Sequence, residues 1–383
     1  MRFRLIPVRG VSGADERAWL ALAQRAAEPN PFFEPDCLIP VARHDPRGDR
    51  AHLAVVEEDG RFLAALPVWD VWHTRPSRVP YPMVNSHVRR MQTLGTPLVD
   101  RSAGAAALAE LLEGLSRQRR TRHFRALLVD VTAADGPVGA ALREAARLAG
   151  FHLTVVHRHE RGFLRRRPAR DYDTMHSAKT RYNLRRQRRQ LSEQFGGAEV
   201  RLVVRDASDP ASVADYVALE ASGYKARSHV AMATAPGEVA AFTEMCLRLA
   251  RHGRVHILAL EVAGRTVAMQ VWLHGGDGLF LTKISYDEQY ARFGPGVLLG
   301  TESLFVFHDQ TEAQWIDTCT YEGNEVLQRL YPERRRIESL IVVLARNPLD
   351  AALVETMAVL KSWSGRYYEW RHRARPEPSR AAP

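Results

Sequence analysis

LALEVAGRTVAMQVW, residues 258–272, repeats the pattern of LAVVEEDGRFLAALPVW, residues 53–69. In each stretch an apolar run leads to a Gly-Arg turn and a second apolar run, with alanine three positions after the arginine. Two apolar runs joined by a short turn that contains glycine are typical of a β-hairpin. The two hairpins begin 205 residues apart, which indicates an internal duplication.

The segments around the two hairpins also correspond. After the first hairpin we expect a helix from about Ala103, the strand RALLVDV, a helix over 137–149 and the strand FHLTVV. After the second we expect the strand GLFLTKISY, a helix from Pro295, the strand AQWIDT, a short helix near 325–331 and the strand RIESLIVVL. Two copies of a mixed α/β unit explain this order. A chain of 383 residues is also long enough for two domains.

A basic segment lies between the two copies. SAKTRYNLRRQRRQ, residues 177–190, places Leu184 on one stripe with Leu191 and Phe195, as in an amphipathic helix that ends at Gly196 and Gly197. The arginines that surround this stripe are Arg181, Arg185, Arg186 and Arg189. They form either the solvated face of a linking helix or a surface that binds the phosphate of a coenzyme, tRNA or lipid. We therefore divide the chain into residues 1–170, a linking basic helix over 171–196, and residues 197–383, which end in a helix.

The composition restricts the partners only weakly. The net charge is +10 and the pI about 9.8, but only four of the 54 cationic side chains are lysine, a bias typical of codon usage. Three widely spaced cysteines predict a reducing compartment, and no apolar run reaches the length of a secretory signal or a membrane span. We expect a cytoplasmic protein without a transmembrane segment, and attachment to the inner membrane surface stays open.

The segment YARFGPGVLLG, residues 290–300, is the strongest candidate for an anion site. Gly294, Pro295 and Gly296 would begin an apolar helix, and the unpaired N–H groups of Gly296, Val297 and Leu298 would face an anion. Neither a Walker motif nor a dinucleotide fingerprint is present.

Several polar side chains of the second half are candidates for binding or proton transfer. Lysine is rare in this chain, so Lys179, Lys225 and Lys283 occupy positions where an ammonium group could be required. The candidate acid–base residues are Glu220, Tyr286, Asp287, Glu288, Glu302, Asp317 and Glu322. His157 and His159 lie too close together, without a third ligand, to indicate a metal site, and the segment is typical of a polar strand end.

The order of these segments resembles the CelD/BcsL-type GNAT acyltransferases, which are related to the Fem aminoacyl transferases. The resemblance covers about 172–343 through the successive segments LEASGYKARSHVAMAT, GRVHILALEVAGRTVAMQVWL, LTKISYDEQYARFGPGVLL and WIDTCTYEGNEVLQRLYPERR. It implies a mixed α/β fold of two tandem GNAT-like domains joined by the basic helix. The basic segment is similar to a helix found at this point in both families.

The resemblance also implies roles for individual residues. Glu220, Gly223, Tyr224 and Lys225 match one motif of the family, and Lys283, Tyr286, Asp287 and Glu288 match another. The pyrophosphate of acyl-CoA would bind at Gly294, Gly296, Val297 and Leu298, and the strand near Ile284 would polarise the thioester carbonyl. Glu220, Tyr286 or Asp287 would act as the base, and Tyr224, Lys225, Lys283 and Asp317 would bind substrate.

The implied function is transfer of an acyl group from acyl-CoA to a small-molecule amine, in envelope, lipid or polysaccharide metabolism and without a metal. One alternative is a Fem-like transferase whose aminoacyl-tRNA donor contacts residues 179–189. Another is a catalytically silent GNAT-like protein that binds an envelope polymer or an anionic membrane surface.

Overall fold

The computed structural model describes residues 1–71, 81–86, 91–321 and 325–373. Its strands are β1 (Arg2–Pro7), β2 (Ala51–Glu58), β3 (Arg61–Val71), β4 (Met83–Asn85), β5 (Leu98–Val99), β6 (Ala126–Ala133), β7 (His152–Arg165), β8 (Val200–Arg205), β9 (Val255–Val262), β10 (Arg265–Gly275), β11 (Gly278–Tyr286), β12 (Trp315–Asp317) and β13 (Glu333–Val343). Its α-helices are α1 (Gly13–Arg25), α2 (Pro35–His44), α3 (Gly104–Arg122), α4 (Pro137–Leu148), α5 (Ala178–Gln194), α6 (Pro210–Ser222), α7 (Tyr224–Arg227), α8 (Glu238–Ala250), α9 (Pro295–Gln310), α10 (Glu325–Leu330) and α11 (Pro348–Arg373).

The described strands form one mixed sheet in the order β1-β2-β3-β4-β6-β13-β7-β12-β11-β10-β9-β8, with β5 paired to β3. The predicted hairpins are β2–β3 and β9–β10. Their turns, Asp59-Gly60 and Ala263-Gly264, have positive φ at both residues, the geometry that tight hairpins favour. Each half also contains one parallel pair, β4 with β6 and β11 with β12. The duplication is therefore visible in the sheet.

The strand β13 joins the two halves. It lies between β6 and β7, and it pairs with both in antiparallel register. The expectation that the strand FHLTVV ends near Val156 is wrong, because β7 continues to Arg165 along β13 and then pairs with β12. The division of the chain at residues 170 and 197 stays a prediction, although a strand from the last third completes the sheet of the first half.

Three apolar clusters hold the helices on the sheet. The largest contains Trp19, Phe33, Leu112 and Phe242 and packs under α1–α4, α6 and α8. A second cluster, with Leu191, Trp272 and Phe307, packs α5 and α9 against the second half of the sheet. A third packs α11 on β7 and β13 through Val354 and Met357. Within the described ranges, no helix is long and apolar enough to cross a bilayer.

Candidate functional site

The strands β11 and β12 separate and leave a split in the sheet. β12 pairs with β11 only at Gly278, Leu279 and Phe280, whereas β10 accompanies β11 to Tyr286. A bulge at Thr282, which lies opposite no residue of β10 in the strand register, bends β11 at this point. Residues 281–286 therefore present a backbone edge that pairs with no other strand of the described chain.

The hydrogen-bonding pattern defines which groups point into the split. The N–H of Asp287 donates to the carbonyl of Val267, 2.9 Å away, so the next pair along, Tyr286 with Ala268, is a non-hydrogen-bonded pair. By the same alternation Ile284 and Gln270 form such a pair. The N–H groups of Ile284 and Tyr286 therefore point away from β10 and into the split.

The helix α9 begins beside this edge. Gly294 adopts the left-handed conformation, with φ 61° and ψ 47°, and Pro295 is the first helical residue. A Cβ atom at Gly296 would lie 3.4 Å from the ring of Tyr286 and 3.9 Å from the side chain of Ile284. The start of α9 is thus in contact with the end of β11.

One part of the predicted anion site is wrong. The N–H groups of Val297 and Leu298 both donate to the carbonyl of Gly294, at 2.9 and 3.0 Å, and are not free. Pro295 has no N–H, so Gly296 carries the one N–H of the first turn without an acceptor among the described residues. The helix dipole still favours an anion at this position.

The basic helix α5 packs against the start of α9. A Cβ atom at Gly294 would lie 3.2 Å from Nε2 of Gln187, and Arg292 donates to Gln194 at 2.7 Å. Arg188 forms an ion pair with Glu302 on α9. Lys179, Arg185 and Arg186 are exposed and form no ion pair with a described residue. The predicted linking helix therefore forms one wall beside the candidate anion site and presents cations to solvent.

Glu220, Lys225 and Lys283 form a cluster on the other side of β11. The Glu220 carboxylate is buried, and its Oε1 lies 3.2 Å from Nζ of Lys225 and 3.8 Å from Nζ of Lys283. Its Oε2 accepts the N–H of Met232 at 2.9 Å. Lys225 also donates to the carbonyl of Ile284, 2.6 Å away. The lysine thus connects the carboxylate to the backbone at the split.

The charges of this cluster are mutually dependent. Burial by itself raises the pKa of Glu220, but Lys283 and Lys225 outweigh this effect, and the pKa lies below its usual value. Burial lowers the pKa of Lys225, while Glu220 opposes that shift. Glu220 is therefore an ionised carboxylate that balances buried ammonium groups.

The remaining predicted site residues have different surroundings. Tyr286 is partly exposed at the end of β11. Asp287 accepts the N–H of Gln289 at 3.0 Å and forms an ion pair with Arg265 at 3.0 Å. Tyr224 begins α7, and its side chain lies outside what the structure describes, as does the whole of Glu322.

Asp317 is part of a buried ionic network. Nη2 of Arg161 lies 2.7 Å from its Oδ2, Nη1 of Arg335 lies 2.8 Å from the same oxygen, and the N–H of Cys319 donates to Oδ1 at 2.9 Å. Burial raises the pKa of Asp317, but Arg161 and Arg335 hold it below its usual value. Its role in binding substrate stays a prediction, since both oxygens already have partners.

Sequence reasoning overlooked two residues of this region. Arg161 looks like one more arginine of an arginine-rich chain, and only its position on β7, opposite Arg335 of β13 and bonded to Asp317, shows that it is buried. Ser285 accepts a hydrogen bond from Lys225 at 3.1 Å, which no sequence pattern indicates. An alternation of buried positions along a longer β7 is the one signal that could have identified Arg161.

Comparisons with known proteins agree with this fold. The protein-family model described as "Acetyltransferase (GNAT) domain" matches residues 178–317 of this chain. FemX is similar in structure, with a TM-score of 0.58 and 9% identity over 91% of this chain and 98% of that chain. A conserved protein of unknown function from Bacteroides thetaiotaomicron has a TM-score of 0.55, with 12% identity over 87% of this chain and 97% of that chain.

A third similar structure is the C-terminal domain of a protein from Agrobacterium fabrum named as a lysylphosphatidylglycerol synthetase. Its TM-score is 0.54, with 11% identity over 91% of this chain and 97% of that chain. No curated protein sequence matches this chain. The expected mixed α/β fold of two GNAT-like units is confirmed, and residues 178–317 match the acetyltransferase (GNAT) domain family.

Proposed function

We propose that the chain is an N-acyltransferase that transfers an acyl group from a CoA thioester to an amine. The observation that carries the proposal is the contact between Gly296 and the end of β11, where Ile284 and Tyr286 direct their N–H groups into the split. A donor whose pyrophosphate lies at the start of α9 can place its thioester along this strand edge. A single CoA thioester would then contact both the start of α9 and the free edge of β11.

In this mechanism the backbone binds and polarises the donor. The N–H of Gly296 and the dipole of α9 hold the pyrophosphate. One strand N–H, that of Ile284 or that of Tyr286, donates to the thioester oxygen, where negative charge develops during attack. The amine forms the C–N bond as the C–S bond breaks, without a covalent enzyme intermediate.

Tyr286 is the candidate that we assign to proton transfer. Its hydroxyl has no hydrogen-bond partner among the described residues, whereas Glu220 is held by two lysines and Asp287 caps a turn. It can donate its proton to the departing thiolate while the amine nitrogen loses one proton through water. Lys225 positions the carbonyl of Ile284 and thereby the strand edge.

Calorimetry with CoA and acetyl-CoA tests the donor site. Gly296→Ala fits the folded chain, because the added Cβ makes only ordinary contacts, but Gly296→Leu would occupy the space in which the pyrophosphate must approach. We expect Gly296→Leu to reduce donor affinity at least about tenfold, which is the loss of one charge-assisted hydrogen bond. Gly10→Leu is the matched control, since no atom lies within 4 Å of a Cβ there.

If Gly296→Leu binds the donor as tightly as the original chain, the assignment of the pyrophosphate to the start of α9 is wrong. Release of free thiol, followed with a panel of acyl-CoAs and primary amines, tests turnover. Donor binding without any thiol release would instead support the silent binding protein.

A second candidate is a transferase whose donor is aminoacyl-tRNA. The observation that favours it is that Lys179, Arg185 and Arg186 are exposed on α5, the helix whose Gln187 lies beside Gly294 at the start of α9. Binding through phosphates should weaken steeply with salt, by about tenfold or more between roughly 50 and 200 mM for each three contacts. Undetectable tRNA binding to the full chain at low salt would exclude it, and Arg185→Ala with Arg186→Ala should reduce the salt dependence if it is correct.

A further inference from the structure

Lys283 of β11 has a positive charge that no carboxylate of its own balances. Its side chain is only 11% exposed, and its Nζ atom lies 3.8 Å from Oε1 of Glu220, beyond hydrogen-bonding distance. Within the described ranges this ion pair is the one polar contact of the ammonium group. Buried charges are usually paired and hydrogen-bonded, because an unpaired charge destabilises the fold. The three N–H donors of Lys283 are therefore available to a ligand.

The carboxylate of Glu220 is already neutralised by a different lysine. The Nζ atom of Lys225 lies 3.2 Å from the same Oε1 atom. It also donates to the carbonyl of Ile284 at 2.6 Å and to Oγ of Ser285 at 3.1 Å. These three contacts use all the donors of that ammonium group. Two ammonium groups thus share one carboxylate, and the cluster keeps one positive charge in excess.

The other charged side chains of this region compensate one another. Arg227 forms an ion pair with Glu288, next to the end of α6. Arg265 forms an ion pair with Asp287, beyond the end of β11. Neither pair changes the charge balance of the cluster. The excess positive charge at Lys283 therefore favours an anion.

Lys283 lies directly at the proposed site of acyl transfer. It belongs to the free edge of β11, residues 281–286, and immediately precedes Ile284. Successive side chains of a strand point to opposite faces of the sheet. Ile284 faces the start of α9 at Gly296, so Lys283 faces the opposite side, where Glu220 of α6 lies. The pyrophosphate of the donor and an anion on Lys283 would thus lie on opposite faces of one strand edge, with the thioester between them.

We propose that the acceptor is an amine with an anionic group, a carboxylate or a phosphate, close to its amino group, and that the ammonium group of Lys283 binds this anion. A free amino acid and an aminoalkyl phosphate both have this chemistry. The anion supplies the counterion that Lys283 lacks and holds the amine beside the strand edge. The inference rests on the proposed function for the reaction, whereas the anion site itself can be tested without an acyl donor.

The rarity of lysine in this chain allows a direct binding test. Because there are only four lysines, the full chain labelled at the lysine Cε atoms gives four side-chain NMR signals, and Lys283→Met identifies one of them. Glycine is the carboxylate probe, aminomethylphosphonate the phosphate-like probe and glycinamide the neutral probe. We expect the Lys283 signal to shift with an anionic probe and to stay in place with glycinamide. Titrations with and without CoA also detect an acceptor that binds only after the donor.

The probes distinguish the two sources of the anion. A shift with glycine identifies a carboxylate acceptor, and a shift with aminomethylphosphonate alone identifies a phosphate. If neither probe shifts the Lys283 signal, with or without CoA, the anion site is wrong. The same conclusion follows if glycinamide shifts this signal as much as the anionic probes do.

Steady-state kinetics tests the site during turnover. Lys283→Met leaves Glu220 paired with Lys225, so the Tm should stay close to that of the original chain. The variant should raise the KM for the anionic amine at least about tenfold and leave the KM for acyl-CoA unchanged, and Lys283→Arg should restore part of the affinity. Arg2→Met is the control for the loss of one positive charge. Arg2 is exposed on β1, at the other end of the sheet, so this variant should change neither KM.

The anion site and the proposed function can fail separately. If the Lys283 signal shifts with an anionic probe but no acyl-CoA is turned over, the anion site stands and the proposed function fails. If thiol is released with neutral amines and Lys283→Met leaves every KM unchanged, the proposed function stands and the anion site is wrong.

Discussion

The guanidinium of Arg161 and the carboxylate of Asp317 form a buried ion pair, with Nη2 and Oδ2 2.7 Å apart, that connects β7 to β12. Arg161 also donates to the carbonyl of Thr93 at 2.6 Å. The pair lies where the two halves of the sheet meet and where β12 ends. The Arg161–Asp317 ion pair therefore fixes the position at which the split between β11 and β12 begins.

Loss of one partner of this ion pair should strongly destabilise the folded chain. Asp317→Asn leaves Arg161 with an uncompensated charge in the interior and removes one of the two acidic partners of Arg335, so we expect the free energy of unfolding to fall by about 3 to 5 kcal/mol. Denaturant unfolding measures this loss. Asp135→Asn, which removes a partly exposed partner of Arg336, is the control and should change stability by less than about 1 kcal/mol. Equal effects of the two variants would show that the buried network is dispensable.

Glu220→Gln should destabilise the chain rather than remove a catalytic base alone. The variant leaves Lys225 and Lys283 without their shared counterion, so we expect a loss of about 3 kcal/mol. The double variant Glu220→Gln with Lys283→Met should recover part of this loss, because it also removes one of the unpaired charges. If Glu220→Gln is as stable as the original chain but has a lowered kcat, the result would instead support Glu220 as the general base.

Gly294 and Gly296 should separate stability from donor binding. Gly294→Ala forces a Cβ into the left-handed conformation and within 3.2 Å of Gln187, so stability should fall by about 1 to 2 kcal/mol. Gly296→Ala meets no such strain and should leave the Tm close to that of the original chain. Thermal unfolding measures both, and a larger loss in Gly296→Ala would contradict the local geometry.

His159 should make stability depend on pH. Its pKa is about 4 in the folded chain and near 6.5 when unfolded, so the unfolded chain binds the proton more readily between these values. The contribution of neutral His159 to the free energy of unfolding is therefore fully present above pH 6.5 and is lost as the pH falls towards 4. After allowance for the remaining solvent exposure of the ring, we expect this loss to be roughly 2 kcal/mol. In His159→Phe the decrease between pH 7 and 5 should be smaller, and identical pH profiles would contradict a neutral buried ring.

Some elements of the fold were predictable from the sequence, and others were not. The two hairpins were predictable because apolar alternation and the turns at Gly60 and Gly264 are local properties. The start of α9 at Pro295 was predictable for the same reason. The bounds of β7 were not, because its second half is stabilised by β12 and β13, whose residues are far away in the chain.

The candidate site shows the same division. The motif residues Glu220, Lys225 and Lys283 lie together, but the sequence could not show that Lys225 bonds the carbonyl of Ile284. The N–H groups of Val297 and Leu298 were expected to be free, and the carbonyl of Gly294 accepts both. Hydrogen-bond partners of this kind depend on the path of the backbone in three dimensions.

The sequence by itself determined the duplicated α/β pattern, the basic helix between the copies and the glycine-rich start of α9. Each of these depends on residues that are neighbours in the chain, whose periodicity and turn preferences act locally. Only the tertiary structure decided that β13 lies between β6 and β7, that Arg161 meets Asp317, and that His159 is buried without a partner. Those relationships join residues that are distant in the sequence, and they form only when apolar burial brings the two halves into one sheet.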